Sequence, residues 1–482
     1  MSLVKRLSTI LLLSSFISSN ALATAPIDLP DFGTSAGASL TLTQELALGN
    51  LYMQQMRASG IIYYDPYLND YLNSISKRLL SAIPPTGRQF TFFLVNNPHI
   101  NAFALPGGYI GVHTGLLTAA HSESEVASVL SHEIAHVTQR HIARFFERGS
   151  QMTWPALAAL LGSAILATAN PSAGMGAMAA TMGAAQQSAI NFQQQQEKEA
   201  DRIGIDTLRR ADYDPHAMAA FFERLLENER YNGSRMPEFL RSHPLTSSRV
   251  ADAKHRDKVV KSVPAQDPRP FRLAQTRISV MQSRETQRTL HHYQEALKTS
   301  QYNDEAVTRY GYALALYRSD NLNAAQEQAQ LLLKSYPKEL PFWLLMAEIQ
   351  TQQDKFAGAN ETLMQALQEF PNNRALRTKL AEVHLQTSHP EDARKILRKL
   401  VRENPDDMQA IELLAQANAN AGRKAESHVV RADELLLIGD LQGAIQQLEI
   451  AKKDAKSEFV KESVNAKLER LKEALAEKSK WF

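Results

Sequence analysis

Three prolines, Pro337, Pro371 and Pro405, stand 34 residues apart, and this spacing constrains the fold more than any other feature of the chain. In the same frame Ala347 and Ala381 are equivalent, as are Ala325, Ala359 and Ala393, and Trp343 holds an aromatic place in the first helix of its unit. A fixed period of this length marks a stack of like units, none of which can bury its apolar face alone. Small residues at fixed places let two helices approach closely, and a proline closes each unit. From about residue 285 the chain is therefore expected to be an all-α solenoid. After Ala415 the frame slips. Ala432, Ala444 and Ala451 fit a further unit displaced by about half a period, which implies one helix shared by two units, or an insertion.

The pattern resembles the tetratricopeptide repeat. Units of such an array touch mainly their neighbours, so the array is expected to be separable from what precedes it. Residues 40–83 carry apolar positions at helical spacing and end at Pro84-Pro85-Thr86-Gly87. Three short β-rich runs follow, Phe90 to Val95, Asn101 to Pro106 and Gly108 to His113. They predict a small sheet. Ser122 with Glu125 three residues later forms a capping box that opens a long helix, and Gly149 marks its expected end. The fold class is α+β and mostly α. The expected divisions are a leader over 1–23, a first domain over 24–265, a linker over 266–284 and the repeats over 285–482.

The leader has a basic start at Lys5 and Arg6, an apolar run from Leu7 to about Ile17, and Ala21-Leu22-Ala23. That is the pattern of a cleavable secretory signal cut after Ala23. The two surplus charges of the chain, net +2, are Lys5 and Arg6, and the balanced remainder gives no reason to expect a nucleic-acid partner. The chain has no cysteine, so export with neither disulfides nor a lipidated cysteine points to a bacterial periplasm. The most apolar internal run, Trp154 to Ala169, is shorter than a membrane span. It reads as a helix packed on the first domain, or, with the glycine-rich stretch to residue 176, as a lid or a peripheral membrane contact.

Within Ser131 to His141, SHEIAHVTQRH, four residues of helix turn about 400°, so His132 and His136 project from one face. Two imidazoles so placed can grip a zinc ion, and Glu133 beside them can take a proton from attacking water. The same residues are compatible with a surface helix and incidental histidines. A catalytic site needs a third protein ligand. On a continuous helix His141 lies about 180° from His132 and cannot join that face. The better candidate is Glu197 in EKEAD, where Asp201, four residues on, can orient a ligand histidine.

HEIAH, EKEAD and the strand-turn NAFALPGGYIGV together resemble the zinc metallopeptidases that include HtpX, the mitochondrial Oma protease and the CAAX prenyl endopeptidase. The resemblance covers residues 40–255 and implies one Zn²⁺ per chain on His132, His136 and Glu197, with Glu133 as catalytic base. Unlike HtpX and the prenyl endopeptidase, this chain has no flanking apolar spans. Asn101, Ala102, Phe103 and Ala104 are the expected substrate strand, offering an edge to an extended peptide. In SHPLTSSR, Ser242 to Arg249, Pro244 and Arg249 can simply fix a turn. Alternatively, His243 reaches the metal, where it restrains the site or supports an oxyanion. The expected function is a periplasmic zinc endopeptidase that degrades misfolded or stalled proteins. Its repeats hold protein partners and assist assembly. The resemblance implies clients among outer-membrane β-barrel proteins and contact with their assembly machinery. The rival reading is an assembly chaperone or scaffold whose metal site is silent or structural.

Overall fold

The computed structural model of the 482-residue chain describes residues 40–148, 186–231, 238–257 and 267–478. The expected signal segment, 1–23, and the apolar stretch 154–176 lie outside the described residues. Among the described residues no helix is long and apolar enough to cross a membrane.

Two helices open the fold, α1 (Leu42–Ala58) and α2 (Pro66–Ser81). Thr41 and Gln44 make a reciprocal capping box on α1; Asp65 caps α2, with Pro66 at its first position. The sheet follows, with β1 (Thr91–Val95), β2 (Ala102–Leu105) and β3 (Tyr109–His113) in the order β1-β3-β2. The β1–β3 pair is parallel and β2–β3 antiparallel. The β2–β3 turn needs its glycines: Gly107 and Gly108 have φ of 80° and 88°, and a Cβ at Gly108 would stand 2.1 Å from the Gln89 carbonyl oxygen. The outer edge of β1 is covered, because the Tyr63 N–H donates to Leu94 O and the Asn96 N–H to Ile61 O, each at 2.8 Å. The remaining edge belongs to β2.

The short α3 (Thr114–Ala119) leads to the buried helix α4 (Glu123–Thr138). Ser122 Oγ accepts from the Glu125 N–H, while the Glu125 carboxylate accepts from the N–H of His121, not of Ser122. The helix expected to run unbroken to Gly149 stops at Thr138. Arg140 takes a left-handed φ of 54° and a new helix, α5 (His141–Arg148), begins at once. Beyond the undescribed stretch lie α6 (Gln186–Arg210), α7 (His216–Tyr231), α8 (Glu238–Ser242) and α9 (Ser247–Asp257).

Residues 266–284, read as a linker, hold α10 (Arg269–Met281). This helix is docked on both sides: Phe271, Ala274 and Ile278 are buried in the first domain's core, and Leu273 and Val280 in that of the repeats. After α11 (Thr286–Lys298) the repeats proper run as α12 (Glu305–Arg318), α13 (Leu322–Ser335), α14 (Leu340–Gln352), α15 (Phe356–Glu369), α16 (Arg374–Gln386), α17 (Pro390–Glu403), α18 (Met408–Asn420), α19 (Lys424–Leu437), α20 (Leu441–Asp454) and α21 (Glu458–Lys478). The helix pairs continue in step to the end, so neither the shared helix nor the insertion expected after Ala415 is present. The alanine frame misled because Ser427 stands 34 residues after Ala393. It is buried, and its hydroxyl donates to Ala415 O at 2.8 Å, so a satisfied serine does the packing of an alanine.

The two parts are not separable in the way the repeat pattern suggests. Tyr67, Leu68, Leu72 and Ile75 of α2 share one core with Leu344 and Ala347 of α14 and Leu376, Leu380 and Val383 of α16. A buried arginine of α10 bridges both parts: Arg277 Nε donates to Asp65 at 2.7 Å and Nη2 to Glu348 at 2.7 Å. Farther along the array, Arg57 of α1 pairs with Asp406 at 3.0 Å, and Gln54 Nε2 donates to Leu436 O at 3.4 Å.

Candidate metal centre

Helix α4 positions two histidines because its whole length is buried: His132 is 2 % exposed and Glu133 1 %. Helix α6 crosses it closely at Gly204, where a Cβ would stand 3.1 Å from Ser131 Oγ and 3.3 Å from the His132 nitrogen. That approach brings Glu197 onto the histidines. The turn after α8 brings His243 from the other side. His132 Nε2 lies 3.0 Å from His136 Nε2 and 3.3 Å from Glu197 Oε2; His136 Nε2 lies 3.5 Å from Glu197 Oε1. His243 Nδ1 lies 3.3 Å from His132 Nε2 and 3.1 Å from both Glu197 oxygens. One ligand atom from each of His132, His136, Glu197 and His243 falls within 4.8 Å of all the others.

This donor set fits zinc. Three imidazoles and a carboxylate are zinc's usual nitrogen and oxygen donors, and a tetrahedron with arms of ~2.0–2.1 Å has edges of roughly 3.3 Å, close to the 3.0–3.5 Å separations here. A second observation points the same way. Both Glu133 carboxylate oxygens are buried without a hydrogen-bond partner, and His243 Nε2 stands 3.4 Å from Oε1. A buried, unsatisfied carboxylate is costly, and one that faces the donor cluster is placed to receive a proton from a water there.

The surroundings set the electrostatics. Burial works against the carboxylate of Glu197, but His243, His132 and His136 outweigh it and hold the group well below the usual range. Burial likewise opposes Asp201, yet Arg249 and His132 keep it ionised. Asp201 Oδ1 lies 3.0 Å from His132 Nδ1, where it can orient that ring. Burial drives His136 well below its ordinary value, keeping it neutral as a ligand must be. Arg249, 1 % exposed, binds Asp201 through Nε and Nη2 at 2.7 and 2.8 Å and reaches Glu197 with Nη1 at 2.9 Å.

His243 is thus at the donor cluster, held there by its own element. Phe239 of α8 stacks on its ring at 4.8 Å, and the Phe239 N–H donates to Ile100 O at 3.2 Å, at the start of the β2 edge. Of the expected substrate strand, Asn101 and Ala102 are buried while Phe103 and Ala104 are half-buried on the open edge. Sequence reasoning missed Phe239 and set His141 aside as facing away. His141 is not a member of the cluster, but the turn at Arg140 folds it back against His136, with the two Nδ1 atoms 2.9 Å apart.

Residues 66–257 match peptidase family M48, and residues 350–417 match the tetratricopeptide repeat. Fold and site together therefore define a metallopeptidase joined to a tetratricopeptide array. The beta-barrel assembly-enhancing protease of Yersinia pestis is 37% identical over 420 residues, 86% of this chain and 86% of that protein. Its counterpart in Escherichia coli K12 is 37% identical over 442 residues, 90% of this chain and 89% of that one. The chain belongs to this family of beta-barrel assembly-enhancing proteases. The mitochondrial metalloendopeptidase OMA1 of Arabidopsis thaliana is similar over the first part alone, 34% identical over 158 residues, 33% of this chain and 30% of that protein.

Proposed function

We propose that the protein is a zinc-dependent endopeptidase of the periplasm that removes misfolded or stalled outer-membrane β-barrel proteins. The observation that carries this reading is the buried, unpartnered Glu133 beside a four-donor cluster. His132, His136 and Glu197 would hold one zinc per chain, which supplies Lewis acidity when bound. Glu133 takes the proton of the attacking water and passes it to the leaving amine. The β2 edge over Ala102–Leu105 receives an extended segment of the client by strand addition, which selects loose polypeptide over sequence. The client class and the contact with the barrel-assembly machinery through the repeats rest on the names of the relatives. Export through a signal cut after Ala23 rests on the leader pattern. Glu133→Gln should retain one zinc, measured by metal analysis, and lose cleavage of an unfolded substrate such as casein. Retained cleavage, with contamination excluded, would sink the hydrolytic reading.

One observation favours a second reading, a chaperone or scaffold with a silent site. With His243 at the fourth position the donor set is closed, as structural zinc sites are. We join the two: His243 restrains an otherwise competent site. His243→Ala should keep zinc and raise basal proteolysis. A fall of roughly a hundredfold would instead make His243 an oxyanion donor.

A further inference from the structure

Every ligand imidazole has a second nitrogen, and its partner decides which nitrogen is free to bind a metal. For His132 that partner is Asp201. For His136 it is His141, a residue outside the ligand set. We propose that His141 is a positioning residue that fixes the tautomer and ring plane of His136, through a chain of hydrogen bonds ending on Glu199. The proposal rests on the zinc reading of the site given above.

The geometry leaves one assignment. His136 turns Nε2 into the cluster, 3.0 Å from His132 Nε2. A ligating nitrogen carries no proton, so neutral His136 carries its proton on Nδ1. That nitrogen faces His141 Nδ1 at 2.9 Å. Two N–H groups cannot point at each other, so His136 donates and His141 accepts. The proton of neutral His141 is then on Nε2, which donates to Glu199 Oε2 at 3.3 Å. Glu199 is itself clamped by Arg144, whose Nη1 and Nη2 donate to the same oxygen at 3.1 and 2.9 Å. The His141 ring is 2 % exposed and meets His136 edge-on, centroids 4.7 Å apart at 82°. Its carbonyl accepts from Gln196 Nε2 at 3.0 Å. The EKEAD segment thus supplies three carboxylates to one centre: Glu197 in the cluster, Asp201 behind His132, and Glu199 behind His136 by way of His141.

The test compares His141→Leu, which fills the space without an acceptor, with His141→Asn, whose amide oxygen can stand where Nδ1 stood. Zinc affinity of the full chain is measured by competition with a chelator, and the visible absorption of the cobalt-substituted protein reports ligand geometry. His141→Leu should bind zinc about 10–100-fold more weakly, the usual cost of losing such a partner, and shift the cobalt spectrum. His141→Asn should recover most of the affinity and the spectrum. Wild-type affinity in the leucine variant, or equal losses in both, would overturn the proposal and leave His141 as packing. Should neither variant fold, nitrogen-15 NMR of histidine-labelled, zinc-loaded wild type decides. A proton on His141 Nε2 and on His136 Nδ1 supports the chain of hydrogen bonds, and the opposite tautomer of His141 refutes it. A wild-type protein that binds no zinc would fail the metal reading itself, which none of the variant outcomes does.

Discussion

Arg249 commits its guanidinium wholly to the site, two bonds to Asp201 and one nitrogen shared by Glu197 and the Pro244 carbonyl. It is the counter-charge that lets two carboxylates remain ionised in a dry interior, and so the reason a ligand and the partner of a ligand can share one helix face. Breaking a buried pair from one side strands a charge and costs about 3–5 kcal/mol. Arg249→Leu should therefore lower the unfolding free energy of the metal-free protein by that order in a denaturant titration, and weaken zinc binding as well. Arg249→Lys should not rescue it, because a single ammonium cannot span Asp201 and Glu197 as the planar fork does. A lysine variant as stable as wild type would show that charge alone suffices.

At the scale of elements, α8 matters most, since it sets His243 on the cluster, Phe239 on the β2 edge and Glu238 3.9 Å from His113. Burial raises Glu238 to about 7 despite the opposing pull of Arg241. Burial also lowers His113 to about 4, so the imidazole is neutral near pH 7 and offers the carboxylate no charge. The sign follows. A folded-state value above the ordinary 4.5 gives stability that is complete below about pH 4.5 and lost as pH rises through 7. Wild type should lose more thermal stability between pH 5 and 8 than Glu238→Gln, and parallel melting curves would contradict this. Much of this architecture is legible in the sequence. The three strands, the α4 cap, the ligand pair and EKEAD all announce themselves through local patterns. The turn at Arg140 does not, because a left-handed residue is signalled by glycine or asparagine and here it is an arginine held by Glu45 and the Leu40 carbonyl. Hence His141 is misread as facing away. His243 is different: the sequence offers a Ser-His-Pro turn, but only tertiary packing of Phe239 says where it points.

For the molecule as a whole, the sequence shows two modules and the structure shows one core. Periodicity tells which residues are apolar, not what they meet, so nothing in α2 declares that its partners lie in α14 and α16. Arg277 is the junction. Arg277→Ala would leave Asp65 and Glu348 facing each other without a counter-charge, at about 3–5 kcal/mol. Because both parts share the loss, calorimetry should show one transition moved to lower temperature; a shift of the repeats alone would contradict the common core. By the same argument, a chain cut after residue 284 should expose the apolar faces of α2 and α10 and aggregate. The partnership also has a direction in time. Asp65, which caps α2, waits 212 residues for Arg277, and Gln54 waits 382 for the Leu436 carbonyl. A ribosome delivers the peptidase half first, yet that half lacks one wall until most of the repeats have emerged. Hydrolytic competence is therefore deferred to the end of synthesis, and a truncated nascent chain is denied the means to cut its neighbours.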